Sequence, residues 1–401
     1  MREDRSGKHE IFNILVIIFL FLASLNFVTR YYYWMYIAFL LFVVTPERKV
    51  RINASMIILL LLGVFTLCFD SESRSMFTNI LKPFVYAIAY VIGLGMTSKK
   101  KQLGQKESSL QMLILLATAG LFLHYVLNAI KNIGSLERNT IDIWTNSAMS
   151  ATAQSGLACL CVGVVTAFLF SNSSFKIKVV CTLFMAFIII YNMVLAGRTL
   201  LFMLVLMIVL AFLFKSIYYK KGFLGGIFLF AIFILVFIAV YNNDIFSIKT
   251  AFENTNFYAR FFGRTSETLI TDARLGYKLA YIKKMKYYPF GGYNIRREVR
   301  VYAHDLYLDS YDQTGVLGFL AIVFYMISSL SRMIMCLRSK EHTPFAIKQL
   351  VFCVYLTMNI QFLIEPIIQG MPWLFIVYCL IDGALTNYLA SHKEGEITLA
   401  Q

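Results

Sequence analysis

The chain has 401 residues, of which 59% are hydrophobic and only 15% are charged, and its formal net charge is +15. Average soluble domains have roughly 25% charged and 45–50% apolar residues, so this composition excludes an ordinary soluble protein, a disordered chain and a disulfide scaffold. Apolar runs of about 20 residues, the length that crosses a hydrocarbon core, recur along the whole chain. The composition therefore predicts an all-α, polytopic bundle of membrane helices.

Twelve apolar runs bounded by charged or turn residues predict twelve transmembrane helices. The first run is followed directly by another apolar segment, so we interpret it as a retained span rather than a signal peptide. The seven cysteines all lie in apolar stretches, so we expect neither a disulfide framework nor a metal cluster. The predicted spans are residues 11–28, 32–45, 54–69, 80–97, 109–130, 151–170, 178–195, 199–214, 223–241, 315–336, 345–363 and 372–390.

The distribution of basic residues predicts the orientation of these spans. Every second polar segment, counted from the N-terminal tail, holds 20 of the 37 Lys and Arg residues; the short intervening loops hold 6 and one long loop holds 11. Because cytoplasmic loops carry an excess of Lys and Arg, both termini are expected in the cytoplasm and the long loop outside. The predicted regions are helices one to nine (1–241), an external loop (242–314), and the last three helices with a cytoplasmic tail (315–401).

The external loop is basic and contains the stretch ARLGYKLAYIKKMKYYPFGGY. Its helical periodicity predicts an amphipathic helix, ended by Pro289 and Gly291–Gly292, that lies on the bundle or at the membrane interface. A basic loop attracted to anionic lipid is the simplest interpretation. The presence of arginines favours bidentate binding of phosphate oxygens. The apolar positions of the predicted helix are Leu275, Leu279, Ile282 and Met285.

A histidine stands where this loop runs into the tenth predicted span. The spacing predicts His304, Tyr307 and Tyr311 on one helical face, and the carboxylates Asp305, Asp309 and Asp312 on the adjacent face. A histidine at the mouth of a span can act as a general base, with a carboxylate holding its ring; a capping or packing histidine is the alternative. Gly315 and Gly318 are expected to allow close approach of another helix or a lipid chain.

Ionisable residues at or inside the apolar spans are further candidates, because such positions are costly. Arg198, in the turn LAGRT, either acts on substrate or extends its charge to the interface. Asp382 lies within the last span. Glu365 precedes Pro366, which breaks the helix, so Glu365 is expected to face a polar cavity rather than lipid.

The segment HDLYLDSYDQTGVLG is similar to the motif of the bacterial O-antigen polymerase and O-antigen ligase family, a His followed by a polar residue, nine residues and Gly-x-x-Gly. Here His304 and Asp305 precede the nine residues 306–314, and Gly315 and Gly318 follow. LAGRT resembles the family's arginine-containing turn, and ARLGYKLAYIKKMKYYPFGGY its Arg-led amphipathic helix. Asp305 departs from the amide or hydroxyl that is usual in this family.

The resemblance implies a glycosyl transfer on the outer face of the bacterial cytoplasmic membrane, with a glycan linked through diphosphate to undecaprenol as donor. It implies no cofactor, no metal and no nucleic acid; a flippase and a chain-length regulator of the same pathway are expected as further partners. A departing diphosphate needs fixed cations and an acceptor hydroxyl needs a base. The expected catalytic residues are His304, Arg198 and Arg274; the expected substrate-binding residues are Arg260, Arg264, Arg296, Arg297, Arg300, Asp305, Tyr307 and Glu365.

Other functions remain open at the level of the sequence. A polymerase that joins repeat units is favoured over a ligase that moves finished glycan to a lipid A core. A flippase or transporter would place charges near mid-membrane on several spans, whereas the predicted charges gather at the outer ends. No feature of the sequence argues directly for a membrane sensor.

Overall fold

A computed structural model describes residues 2–45, 52–70, 76–96, 103–134, 139–220, 273–339 and 343–399, and the single residues Asn242, Thr250, Glu253 and Tyr258. Over these ranges the chain is helical, apart from one short antiparallel hairpin of β1 (Asn139–Ile141) and β2 (Ala148–Ser150). The helices are α1 (Arg2–Ser24), α2 (Tyr31–Val44), α3 (Ala54–Phe69), α4 (Met76–Met96), α5 (Leu103–Lys131), α6 (Ala151–Phe170), α7 (Phe175–Val194), α8 (Arg198–Tyr219), α9 (Ala273–Met285), α10 (Asn294–Val299), α11 (Leu306–Arg338), α12 (Phe345–Ile364) and α13 (Pro372–Leu399).

The helices have the composition of membrane spans. Seven of those described are long and apolar enough to cross a membrane, namely segments of α5 to α8 and of α11 to α13. Four further apolar segments, in α1 to α4, are shorter than 18 residues, the minimum length of the first seven. Eleven of the twelve predicted spans therefore coincide with a helix, and the ninth, 223–241, lies outside the described residues. The class of helical membrane protein is confirmed.

The chain divides into two compact units. The first comprises Met1–His124, Ala273–Thr343 and Met358–Gln401; the second comprises Tyr125–Asp272 and Pro344–Thr357. In the first unit, α4 and α13 pack backbone to backbone. A Cβ at Gly93 would lie 2.1 Å from the Leu380 carbonyl oxygen, and one at Gly383 would lie 2.1 Å from that of Tyr90. Small residues thus allow this close helix contact, as is common between membrane helices.

A buried ion pair joins α11 to α13 in the same unit. The Nε of Arg332 donates to Asp382 Oδ1 at 3.0 Å, and its Nη1 donates to the Ser55 hydroxyl at 2.7 Å. Ser329 donates to the same carboxylate oxygen at 2.8 Å. Arg332 therefore lies buried inside the bundle. An unpaired buried guanidinium would cost several kcal/mol, and the Asp382 carboxylate offsets this cost by pairing with Arg332.

The second unit contains the hairpin, which was not predicted from the sequence. Asp142 closes its turn by accepting the Trp144 and Thr145 N–H groups, both at 2.9 Å. Asn132, just beyond α5, holds Ile141 by accepting its N–H at 2.8 Å and donating to its carbonyl at 2.9 Å. Three-residue strands with no apolar alternation give too weak a periodic signal to be recognised in sequence.

Candidate functional site

Two glycine-containing segments singled out in the sequence lie against each other in the first unit. The segment after α9, Pro289–Gly292, pairs with residues 312–316: the Val316 N–H donates to the Pro289 carbonyl at 2.9 Å and the Gly292 N–H to that of Gln313 at 3.0 Å. Helix α9 itself ends at Met285, a turn before the predicted stop. The proline and glycines therefore form a loop that docks on α11 rather than a helix terminator.

Gly315 is required at this contact for two reasons. Its φ of 71° and ψ of −159° are accessible almost only to glycine, and they kink α11. A Cβ would also lie 2.1 Å from the Pro289 carbonyl oxygen. The space around Gly315 is thus filled by the chain's own loop, and at Gly318 a Cβ would meet the Thr314 side chain at 1.6 Å. The close approach at Gly315 is thus made by the chain's own loop rather than by another helix, and the approach of a lipid chain stays a prediction.

The prediction that His304 shares a helical face with Tyr307 and Tyr311 is wrong, because α11 begins two residues after His304. His304 has a left-handed φ of 56°, and Asp305 caps the helix by accepting the Leu308 N–H at 2.7 Å. The segment before the helix is held by Tyr281, whose hydroxyl donates to the Val301 carbonyl at 2.7 Å. Tyr311 anchors the first turns of α11 to the end of α9 by donating to the Met285 carbonyl at 2.8 Å. His304 consequently projects from a fixed junction rather than from a helix.

A buried glutamate lies between the candidate base and a candidate clamp. Glu365 is fully buried; its Oε1 is 2.9 Å from Arg274 Nη2, and its Oε2 is 3.8 Å from His304 Nδ1. The side chains of Arg274 and His304 keep 29% and 21% of their surface exposed. Of the predicted residues, the structure therefore brings His304, Arg274 and Glu365 into one cluster. The prediction that Glu365 avoids lipid agrees with this burial.

Lys278 and Tyr277 complete the cluster and were missed in the sequence. Lys278 Nζ donates to the Leu363 carbonyl at 2.6 Å and is 3.3 Å from Asp305 Oδ2. The Tyr277 ring is stacked with the His304 ring at 6.0 Å between centroids. Lys278 follows Arg274 by one helical turn on the same face of α9, and this i, i+4 spacing is the signal that could have identified it.

Asp305 has an environment unlike that of a surface carboxylate. Burial raises the pKa of Asp305, whereas the Leu308 N–H and the Lys278 ammonium oppose this shift. An anionic Asp305 therefore depends on these two partners for stabilisation. Its role in the described geometry is to cap α11 and fix Lys278 beside the His304 junction.

The other two aspartates of the His304 segment are buried in a separate polar network. Asp309 accepts the backbone N–H of Gln369 at 2.9 Å, and Asp312 accepts the Gln369 side-chain amide at 3.0 Å. Asp312 also accepts the Arg296 N–H at 3.0 Å, while Arg296 Nη1 donates to Gln369 Oε1 at 2.8 Å. Gln369, which no sequence pattern indicated, thus joins the loop after α12 to α10 and α11.

The remaining predicted site residues are distributed differently. Tyr307 is half-buried in the first turn of α11, and Arg297 and Arg300 are exposed at the end of α10. Arg198 begins α8 in the second unit and is exposed. Arg260 and Arg264 lie outside the described residues.

The amphipathic face of α9 divides into two parts. Met285 packs against the small apolar core formed by Tyr281 and its neighbours. Leu275, Leu279 and Ile282 instead remain 52%, 49% and 54% exposed. The exposed stripe matches the interfacial alternative of the prediction better than packing on the described bundle.

Positive charge near His304 comes from Arg274 and Lys278, and within the described ranges no group of three or more His, Cys, Asp or Glu side chains forms a possible metal site. The sequence matches no protein-family model and no curated protein.

Proposed function

We propose that this chain is a membrane glycosyltransferase that polymerises oligosaccharide repeat units linked through diphosphate to undecaprenol. The observation that carries the proposal is the buried Glu365 between His304 and Arg274. It joins a group able to accept a proton to a group able to bind phosphate oxygens, as a glycosyl transfer from a diphosphate donor requires. The motif HDLYLDSYDQTGVLG and the basic, apolar character of the chain support the same conclusion.

In the proposed reaction, a hydroxyl oxygen of the acceptor sugar attacks the anomeric carbon of the donor. The bond from that carbon to the diphosphate oxygen breaks, and undecaprenyl diphosphate leaves with the electron pair. The hydroxyl proton passes to Nε2 of His304, because Nδ1 faces Glu365. The carboxylate then stabilises the imidazolium and holds its ring, as a buried carboxylate does for a catalytic histidine in hydrolases.

Arg274 is proposed to stabilise the negative charge that grows on the diphosphate. A guanidinium presents its N–H donors as a planar fork, a geometry that matches the oxygens of a phosphate as well as those of the Glu365 carboxylate. Its partial exposure allows a substrate to reach it. Arg198 stays a proposed second clamp, and the motif in which it occurs supports this role.

The proposal also specifies topology: twelve spans in the bacterial cytoplasmic membrane, both termini in the cytoplasm, and the His304 cluster on the outer face. A cytoplasm-active reporter fused after Gly292 should be inactive, and the same reporter fused at the C-terminus should be active. The reverse pattern would contradict the outer-face reaction.

The direct test uses purified protein and undecaprenyl-diphosphate repeat units. His304→Ala should lower polymer formation by about 10²–10⁴-fold, the usual contribution of a general base. Lys283→Ala, on the same helix as Arg274 but outside the cluster contacts, serves as the matched control and should retain activity. Near-normal polymer from a well-folded His304→Ala variant would leave His304 a packing residue.

A further inference from the structure

We propose that a cavity beside the His304 cluster binds the sugar rings of the acceptor glycan; this inference rests on the proposed function. The cavity has a volume of about 420 Å³ and lies wholly within the first unit. Pockets for small molecules have volumes of about 300–1,000 Å³, so the space suits a short stretch of glycan. Its lining includes four tyrosines, Tyr31, Tyr86, Tyr293 and Tyr302.

A carboxylate is fixed in the wall of this cavity. Asp70 Oδ2 accepts the Tyr293 hydroxyl at 3.2 Å and the Gln313 side-chain amide at 3.1 Å. These bonds hold the carboxylate in one orientation. An oriented carboxylate can accept two neighbouring hydroxyls of a sugar ring, and hydrogen bonds to a charged acceptor are the stronger ones.

A guanidinium is held in the same wall by three contacts. Arg296 Cζ lies 4.5 Å from the Tyr293 ring centroid and 5.6 Å from that of Tyr302, and its Nη1 donates to Gln369 at 2.8 Å. Stacking on two rings removes rotamer freedom before any ligand arrives, which lowers the entropic cost of binding. Rigid aromatic faces and fixed planar polar groups suit pyranose rings, which have apolar C–H faces and hydroxyl edges.

The cavity lies close to the proposed base along two chain segments. Tyr302 precedes His304 by two residues, so their Cα atoms are at most about 7 Å apart. Gln369, on the loop that follows Glu365, also lines the cavity. A glycan bound there can present a terminal hydroxyl to His304.

The acceptor is a better occupant than the donor on chemical grounds. The donor has a diphosphate, for which Arg274 is the proposed partner in the cluster. The part of the acceptor near His304 has only sugar hydroxyls and ring faces. A cavity lined by aromatic rings and fixed polar groups is therefore what can position the acceptor. A site built to bond hydroxyls discriminates strongly, because its polar groups are left unpaired without them.

The binding test separates this inference from the reaction. The probe is a fluorescently labelled oligosaccharide cut from the producing cell's own surface glycan, titrated into full-length protein in detergent. His304→Ala should bind the probe as the wild type does. Adding Asp70→Asn or Tyr302→Ala to that background should raise Kd by about tenfold, since each removes a charged acceptor or a ring face. Tyr287→Ala, an exposed tyrosine outside the cavity lining, is the control and should leave Kd unchanged.

The outcomes are distinct. Asp70→Asn preserves side-chain shape, so an unchanged Kd in that variant together with Tyr302→Ala would overturn the inference. It would also be overturned if these variants weakened binding of undecaprenyl diphosphate alone and left the oligosaccharide unaffected, because the cavity would then belong to the donor. Failure of the proposed function alone would instead appear as no polymer from the wild-type protein given undecaprenyl-diphosphate repeat units, with probe binding still dependent on Tyr302.

Discussion

Replacing Glu365 by Gln tests the central contact of the proposed reaction. The substitution keeps the size of a fully buried side chain and removes only its charge. In the proposed mechanism the carboxylate acts when His304 becomes an imidazolium, so its loss should slow the chemical step. Donor binding should change little, because Arg274 retains its guanidinium.

The size of the effect follows from the distance. Two unit charges 3.8 Å apart, the separation of His304 Nδ1 and Glu365 Oε2, interact by about 4 kcal/mol at an effective dielectric constant of about 20. Partial exposure of His304 to solvent reduces this to about half, roughly 2 kcal/mol. At 1.36 kcal/mol per tenfold in rate, kcat for polymerisation should fall by about 30-fold.

The assay is a double-mutant comparison on purified protein with undecaprenyl-diphosphate repeat units. If Glu365 works through His304, the double variant His304→Ala/Glu365→Gln should be no slower than His304→Ala alone. Glu298→Gln removes another glutamate that is ion-paired, to Lys284, and should leave kcat unchanged. Thermal midpoints confirm that each variant remains folded.

Two results would refute this account. A kcat for Glu365→Gln within twofold of the wild type would mean that the carboxylate does not stabilise the imidazolium. A further loss of about 30-fold in the double variant would mean that Glu365 acts independently of His304, through Arg274 or the loop.

Three further variants test the clamp, the kinked junction and the cap. Arg274→Lys keeps the charge but loses the planar fork, so it should lose most polymerase activity, whereas Lys283→Ala should retain it. Gly315→Ala should lower the free energy of unfolding by at least about 1–3 kcal/mol, because its φ of 71° and its contact exclude a Cβ; Gly276→Ala, with no atom within 4 Å, should not destabilise the protein in thermal melts. Asp305→Ala should cost about 0.5–2 kcal/mol through loss of the helix cap, whereas Asp305→Asn should retain the cap. Because burial raises the pKa of Asp305 in the folded protein, ionisation of Asp305 lowers the free energy of unfolding as pH rises through that pKa. Melting curves of Asp305→Asn, recorded over the same pH values, should not show this loss of stability.

The positions of the spans were predictable because apolar runs are local features. α3 and α6 have the predicted bounds, and α12 differs from its prediction by one residue. α11 starts well before the predicted residue 315, since its first turns are rich in aspartate and lack an apolar run. Hydrogen bonds from Gln369 offset the cost of burying Asp309 and Asp312, and Gln369 belongs to a segment remote in sequence.

The site was predictable in its residue types and less so in its pairing. Histidine and arginine were recognised from the chemistry that they offer and from a motif. Glu365 contacts both Arg274 and His304, and so joins the loop after α12 to α9 and to the start of α11. A contact between segments so far apart in sequence leaves no periodic pattern by which it could be predicted. The left-handed φ of His304 is likewise set by the tertiary fold, since a non-glycine residue rarely adopts it alone.

The position of Glu365 at the end of a helix explains why cations gather around it. α12 ends at Ile364, so the carboxylate stands beside the negative end of the helix dipole. Negative charge is disfavoured at that end, and burial adds to the cost. Lys278 offsets part of it by donating to the Leu363 carbonyl, and Arg274 contacts the carboxylate itself. The other oxygen, Oε2, faces His304, so protonation of the imidazole ring stabilises the negative charge of the carboxylate further. In the proposed reaction, the geometry of the helix end thus favours proton transfer from the acceptor hydroxyl to His304.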